Sequence, residues 1–370
     1  MGAAGLENRI SRRNVGRLTI NDVARLAGVS AMTVSRVING EANVSEAKRV
    51  RVADAIRELD YAPNHAARSL ASARTLQIGL LYSNPSASYL SELLLGALEQ
   101  CGIKAIQLIV AKCDVDSGEA VAVRRLIATG IGGVILPSPL CDSAAVVDLF
   151  REAGIPIVAL GTYQPPAATS SIRIDDYAAA YAMTTHLIDL GHRRIGYISG
   201  HPRQTASARR LEGYTDALRD AGVSADAALV AQGYFTYHSG LEGADALLAL
   251  TNRPTAIFAA NDDMGAAAIA VAHRLGLDVP RDLTICGFDD TALATTVWPP
   301  MTTVRQPVAE MARDAVTLLA DAVKRKDAGK PAQPVCEMAP FTLVRRQSDG
   351  PPTAPRTRRL AKPKSAAKAL

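Results

Sequence analysis

Near the start of the chain, apolar residues recur every three or four positions in two short blocks: Val23, Ala24 and Ala27, then Val34, Val37 and Ile38. That spacing predicts two amphipathic helices. Between them stand Gly28, which accepts the positive φ of a tight turn, and Ser30, a residue type that caps helix N-termini. Two helices joined by so short a turn cross steeply, as in a helix-turn-helix. A third block, residues 46–59, offers Val50, Ala53, Ile56 and Leu59 as a packing face, and Tyr61-Ala62-Pro63 ends it. Residues 64–74 are helix-forming but carry too few apolar side chains to fold alone, so they are expected to order only against DNA or a partner.

From Gln77 the pattern changes. The runs IGLLYS, AIQLIVAKC, GGVILPS and IPIVALG alternate with helical stretches such as SELLLGALEQ and AAVVDLFREAG. After Asp175-Asp176 a second series begins: RRIGYISG, a strand near 228–232, TAIFAAND and TICGFDD, again with helices between. Such alternation predicts an α/β class with two parallel sheets covered by helices, hence two lobes. Ligands bind open α/β sheets at the carboxyl ends of strands, so the cleft between the lobes is the expected site. Tyr89 follows the LLYSNPS loop, Arg210 begins the helix after YISG, Asn261-Asp262 follows IFAA, and Asp289-Asp290 follows ICGF. Asp262 and Asp290 are expected to act as helix caps. VWPPMTTVRQP at 297–307 reads as a crossing between lobes. Residues 308–325 form an amphipathic helix whose buried side is Met311, Ala315, Leu318, Leu319 and Ala322, returned to the first lobe.

The resulting map has a basic disordered extension at 1–18, a helix-turn-helix head at 19–63, a hinge at 64–75, a core at 76–346 and a disordered basic tail at 347–370. Within the core the first lobe takes about residues 76–175 and 307–335, the second about 176–306 and 336–346.

Charge sharpens this picture. Residues 1–74 hold 12 Lys or Arg against 7 Asp or Glu, residues 75–349 hold 23 against 29, and residues 350–370 hold 6 against none. A basic head suits phosphate neutralisation, whereas an acidic body should not lie along DNA. The longest apolar runs fall far short of the roughly 20 residues that cross a bilayer, and no apolar stretch follows the N-terminal arginines, so no membrane span or secretion signal is expected and the cytoplasm is the expected location. The five cysteines form no CxxC pair and the six histidines no HExxH, which predicts neither disulfide nor metal; the thiols read as buried and inert. No GxGxxG, Walker A or GxSxG motif sits at a strand-to-helix turn, so neither a cofactor nor an enzyme is expected. A periplasmic sugar receptor would share the two lobes but would need a secretion signal and no basic head.

On the second helix of the head, Ala31, Met32, Ser35 and Arg36 lie opposite the apolar stripe. Arg36 is the candidate base reader, because a guanidinium donates two hydrogen bonds to guanine O6 and N7. Met32 and Ala31 offer apolar contact to a thymine methyl, and Thr19, Ser30, Thr33, Ser35 and Asn39 carry small polar groups of the kind that bind phosphate oxygens. Paired across a dimer axis, residues 64–74 would lie in the minor groove with Leu70 wedged between base pairs.

TINDVARLAGVS, TVSRVING, Val44-Ser45, RVADAIRELDYAPN and AARSL together resemble the lac repressor (LacI/GalR) family of bacterial transcriptional regulators, and the likeness extends through the body. The resemblance implies a lambda-repressor-like helix-turn-helix head on a periplasmic-binding-protein-like core of two doubly wound parallel sheets. It implies a homodimer on double-stranded operator DNA, a pseudo-palindrome with a central CpG, contacted by Asn64 and Leu70 among the head residues. It also implies that Arg210, Asn261 and Asp289 bond a ligand's hydroxyls while Phe235 and Trp298 supply apolar faces and Tyr89 approaches from the first lobe. The implied function is repression of carbohydrate uptake or catabolism genes, relieved by a small sugar inducer. The alternative is a regulator responding to a purine or other metabolite as corepressor. Ala31-Met32 departs from any one operator signature, and the sign of regulation depends on where the operator lies.

Overall fold

The computed structural model describes residues 19–38, 44–59, 75–83, 85–113, 118–167 and 169–353; Asn39, Asn64 and Leu70 lie outside these, as do residues 1–18 and 354–370. The chain divides into two compact units, Met1–Thr75 and Leu76–Leu370.

The first unit contains α1 (Ile20–Ala27), α2 (Ala31–Ile38) and α3 (Glu46–Glu58). Asp22 accepts hydrogen bonds from both the backbone N–H and the hydroxyl of Thr19, at 2.9 and 2.7 Å, which satisfies donors that α1 leaves open at its start. Gly28 at φ 62° ends α1, so the chain turns without a Cβ penalty. Ser30 caps α2 by accepting the Thr33 N–H at 3.2 Å. Val23, Ala24, Ala27, Val34, Val52 and Ala55 form the core. The face expected on α3 therefore needs correction. Val50 is 51% exposed and Ala53 is also exposed, while Val52 and Ala55, helped by Ile56 and Leu59, carry the packing. The apolar stripes at 50–53 and 52–55 adjoin on the helix, and the α1–α2 pair covers only one.

In the second unit, β1 (Gln77–Tyr82), α4 (Ala87–Lys104), β2 (Gln107–Lys112), α5 (Glu119–Ala128), β3 (Gly133–Pro137), α6 (Ala144–Glu152), β4 (Ile157–Leu160) and β5 (Ser170–Arg173) build one lobe. The second lobe follows with α7 (Asp176–Asp189), β6 (Ile195–Ile198), α8 (Thr205–Asp220), β7 (Val230–Ala231), α9 (Tyr237–Leu248), β8 (Ala256–Ala259), α10 (Asp262–Arg274), β9 (Thr284–Asp289), α11 (Ala292–Thr296) and β10 (Thr302–Arg305). Then come α12 (Val308–Asp327), β11 (Cys336–Met338) and β12 (Thr342–Val344). The sheet orders are β11-β5-β4-β3-β1-β2 and β12-β10-β9-β8-β6-β7. All pairings are parallel except β10 with β12. The central strands β3, β4, β6 and β8 are buried along their whole length, as sheets covered on both faces must be.

Both sheets repeat one winding, so strand order reverses at the β1/β3 and β6/β8 boundaries. Those are the points where such folds open crevices at strand carboxyl ends.

The chain passes between the lobes after β5, again at Gln306-Pro307, and again between β11 and β12. Two expected boundaries shift accordingly. The crossing at 297–307 contracts to its last two residues, because Thr302–Arg305 pairs with β9 as a strand of the second sheet. Residues 336–338 belong to the first lobe, not the second, since β11 pairs with β5. Helix α12 returns to the first lobe and packs so closely on α4 that a Cβ on Gly96 would stand 2.1 Å from the Ala309 carbonyl oxygen. Its buried side includes Met311, Ala315 and Leu319 as expected, joined by Val308, Ala312 and Val316, while Leu318 and Ala322 are half-buried.

Residues 347–353, expected to begin a disordered tail, are packed on the second lobe. Ser348 is fully buried, and its hydroxyl donates to the Ile285 carbonyl at 2.5 Å. Asp349 accepts from the Thr302 hydroxyl at 2.5 Å and pairs with His186 at 2.7 Å, and the Gly350 carbonyl sits 2.8 Å from His192 Nε2. Burial pushes the Asp349 carboxyl up, but the hydrogen bonds from His186 and Thr302 and the nearby Arg345 hold it below the ordinary value. Of the cysteines, Cys101, Cys113, Cys141 and Cys286 are buried, whereas Cys336 is exposed, against the expectation of uniformly buried thiols.

Candidate functional site

Helix α2 presents Met32, 65% exposed, and Arg36, also exposed, one turn apart on the same face; Ala31 and Ser35 flank them half-buried. The hydroxyls of Ser30 and Thr33 pair with each other at 2.9 Å at the start of this helix, and Thr19 is exposed at the start of α1. Six of the predicted head residues therefore cluster around one helix and its N-terminus: Ser30, Ala31, Met32, Thr33, Ser35 and Arg36.

Between the lobes of the core lies a cleft of about 490 Å³, including its open mouth. The first lobe contributes Ser86, Tyr89, Ser138 and Gly161, and the second contributes Gln204, Arg210, Phe235, Asn261 and Asp289. These lie at or follow the carboxyl ends of β1, β3, β4, β6, β7, β8 and β9, as the sheet winding requires. Five of the six residues expected from sequence meet here. The exception is Trp298. It is 74% exposed on the loop between α11 and β10 and does not line the cleft. The Met301 N–H folds that loop back on the Ala294 carbonyl at 2.7 Å, which leaves the indole on the surface.

Arg210 lies in the second turn of α8 rather than at its start, and is 5% exposed. Its Nε donates to Asp176 Oδ1 at 2.7 Å, its Nη1 donates to the Ala260 carbonyl at 2.5 Å, and the same nitrogen is 3.7 Å from Asp289 Oδ1. The guanidinium carbon sits 3.6 Å from the Phe288 ring centroid, a cation–π contact away from water. Burial pushes the Asp176 and Asp289 carboxyls above their ordinary values, and Arg210 is the main opposing influence on both. One cation thus serves two buried carboxylates.

Asp289 adopts φ 117°, a region that costs a residue with a Cβ and is held only where its surroundings demand it. Gln306, at the second crossing, donates to Asp289 Oδ1 at 2.5 Å. Asn261 accepts the Met264 N–H at 3.0 Å as the cap of α10 and donates to the Phe235 carbonyl at 3.1 Å. Phe235, itself at φ 62°, fits because position 200 is glycine: a Cβ there would be 1.9 Å from the ring. Burial raises the Tyr89 phenol well above its ordinary value, so it stays neutral.

The sequence reading missed Asp176 and Gln204. Gln204 is 4% exposed and its Nε2 has no hydrogen-bond partner among the described residues, a buried donor left for whatever enters the cleft. The Asp175-Asp176 pair marked only the start of the second series, and nothing local singled out its second carboxylate as an Arg210 partner. Asp262 is wholly buried and accepts from the Thr291 N–H at 2.7 Å and the Thr303 hydroxyl at 2.7 Å, so it braces the strand ends beneath the cleft. Burial lifts it to about 7. Asp290 pairs with Arg305 and Arg346.

Direct bonds that join the lobes include Ser86 Oγ to Asp263 Oδ2 at 2.6 Å, Thr205 Oγ1 to Asp142 Oδ1 at 3.2 Å, and the Tyr163 N–H to Thr205 Oγ1 at 3.2 Å.

Residues 19–64 match the model of bacterial regulatory proteins of the lacI family, and residues 184–348 match that of the periplasmic binding protein-like domain. The HTH-type transcriptional repressor PurR of Photobacterium profundum is 33% identical over 89% of this chain and 98% of its own length. Among solved structures, the transcriptional regulator CelR–cellobiose complex is 35% identical with a TM-score of 0.69, over 90% of this chain and all of that one. The lac repressor dimer bound to operator and an anti-inducer is 28% identical with a TM-score of 0.70, over 90% of this chain and 99% of that one. With the head and the two-sheet core both matched along nearly the full chain, the protein belongs to the lacI family of bacterial regulatory proteins.

Proposed function

We propose that this protein is a transcriptional repressor that holds a pseudo-palindromic operator as a homodimer in the cytoplasm and releases it when a neutral sugar closes the core cleft. The observation that carries the effector class is the Asp176–Arg210–Asp289 row beside Gln204. Its alternating acceptors and donors match adjacent hydroxyls, each of which donates and accepts. With two buried carboxylates to one cation, the row opposes a phosphorylated or carboxylated ligand. Phe235 supplies an apolar face for a pyranose ring. The cellobiose bound to the CelR relative is a ligand of that kind.

In the head, Arg36 reads a guanine, Met32 and Ala31 meet apolar base edges, and Thr19, Ser30, Thr33, Ser35 and Asn39 hold phosphates. Asn64 and the Leu70 wedge act in the minor groove at a central CpG. The exposed Leu95, Leu98 and Ile103 of α4 provide an apolar face for the second subunit. Such a device switches only if the ligand discriminates between the two states by a few kcal/mol. No role as an enzyme is proposed.

A second reading, a purine corepressor, draws on the Tyr89 and Phe235 rings, which suit a planar base, and on the PurR relative. The two separate in one experiment: titrate mono- and disaccharides, then purine bases, into the operator-bound protein and follow its DNA affinity. A sugar that lowers affinity supports the proposal. If only a purine changes affinity, the effector class is wrong.

A further inference from the structure

Away from the cleft, the first lobe carries a second and larger recess of about 1780 Å³, including its open mouth, between the last turns of α12, the 329–335 loop and the α6–β4 turn. Its floor is apolar: Ile155, Ile157, Leu318, Ala322 and Val335. Its rim is cationic, from Arg151, Arg325, Lys326 and Lys330. Asp321 is the one carboxylate among the described residues lining it, and it faces Lys324 at 3.7 Å.

Three of those cations donate to backbone carbonyls: Lys326 Nζ to Gly154 O at 2.7 Å, Arg325 Nη2 to Pro331 O at 3.3 Å, and Arg151 Nη2 to Ala167 O at 3.4 Å. A carbonyl satisfies a donor without cancelling its charge. Among the described residues, Arg151 alone of these also meets a carboxylate, Asp148, at 2.6 Å. The recess is therefore a positive spot on a core region whose residues 75–349 carry more acidic than basic side chains. An apolar floor under a ring of fixed positive charge matches one chemistry.

We propose that this recess is a second ligand site, for an amphipathic organic anion: an aromatic or aliphatic body lying on Leu318, Ala322 and Ile157, with a carboxylate, sulfonate or phosphate held by Arg325, Lys326 and Lys330. The site is independent of the sugar reading. Part of its lining belongs to the stretch 308–338, which leaves the second lobe at Gln306-Pro307 and goes back to it after β11.

The probe is 8-anilinonaphthalene-1-sulfonate, titrated into the full-length protein and followed by fluorescence, with its uncharged analogue N-phenyl-1-naphthylamine as the comparison. The sulfonate should saturate a single site. Arg325→Glu with Lys326→Glu should weaken it at least about tenfold, the equivalent of one strong charged contact. Ala322→Trp, which fills the floor and leaves every charge in place, should abolish it, and so tests the site even if the charge-reversed protein does not fold. The uncharged analogue should bind about tenfold more weakly. Equal affinity in native protein and Ala322→Trp would overturn the location. Equal affinity for the two probes would overturn the anion selectivity.

Discussion

Replacing Arg210 by Met keeps most of the side-chain volume and removes the charge between Asp176 and Asp289. Removing one partner of a buried ion pair generally costs about 3–5 kcal/mol, because the other is left without compensation. Here two carboxylates are left, and the stability they cost depends on pH. Both already have folded-state values raised above the ordinary 3.8, chiefly by burial. A carboxyl raised in this way contributes stability that is fully present below its unfolded value and is lost as pH rises through its folded value. Loss of Arg210 lifts both folded values further, which widens that window on its alkaline side. As the pH falls the carboxyls take up protons, and the variant then lacks only the bond to Ala260 and the contact with Phe288, together about 1–2 kcal/mol. At pH 8 the deficit should reach the full range of about 3–5 kcal/mol. Urea unfolding of native protein and variant between pH 4 and 8, followed by tryptophan fluorescence and far-UV circular dichroism, measures the difference directly. A deficit that is constant with pH, or that grows toward acid, would refute the reasoning.

Other expectations are simpler. Arg36→Ala should lose about 1–3 kcal/mol of operator binding and relax preference at one base pair, read by binding to a set of single-base operator variants. Gln204→Leu removes a buried donor that has no internal partner, so thermal unfolding of the free protein should show no loss while effector affinity falls by about 0.5–1.5 kcal/mol; destabilisation without loss of affinity would mean that Gln204 only packs. Gly96→Ala forces α4 from the Ala309 carbonyl and should cost about 1–3 kcal/mol by denaturant unfolding, with Gly102→Ala, where a Cβ meets nothing within 4 Å, as the tolerant control on the same helix.

What could be read from the sequence was what is written in periodicity. The alternation of strand-like and helical runs reports burial against a neighbouring layer, so both sheets and helix α12 were visible in it. The strand ends carrying Asn261 and Asp289 followed, because an apolar run ends visibly. Asp176 and Gln204 were not legible, because their role depends on α7 and α8 converging on Arg210 across 34 residues of chain. Trp298 misled for the opposite reason: an aromatic residue near a polar set suggests a sugar face, but its loop folds outward. On α3 two adjacent stripes were equally apolar, and only the width of the α1–α2 pair chose between them. The segment around Ser348 and Asp349 looked like tail, since its polarity is offset only by partners contributed from His186, Ile285 and Thr302.

That segment has a consequence for biosynthesis. Strand β12 edges the second sheet, and the Ser348 carbonyl and Gly350 N–H bond to Ile285 and Thr284 at the start of β9, each at 3.0 Å. The first sheet waits equally for β11. Neither sheet can be completed until almost the whole chain has left the ribosome, whereas every residue of the three-helix head emerges within the first sixth or so of translation. Nascent chains stalled before Cys336 should therefore display a folded head on a protease-sensitive, chaperone-dependent body.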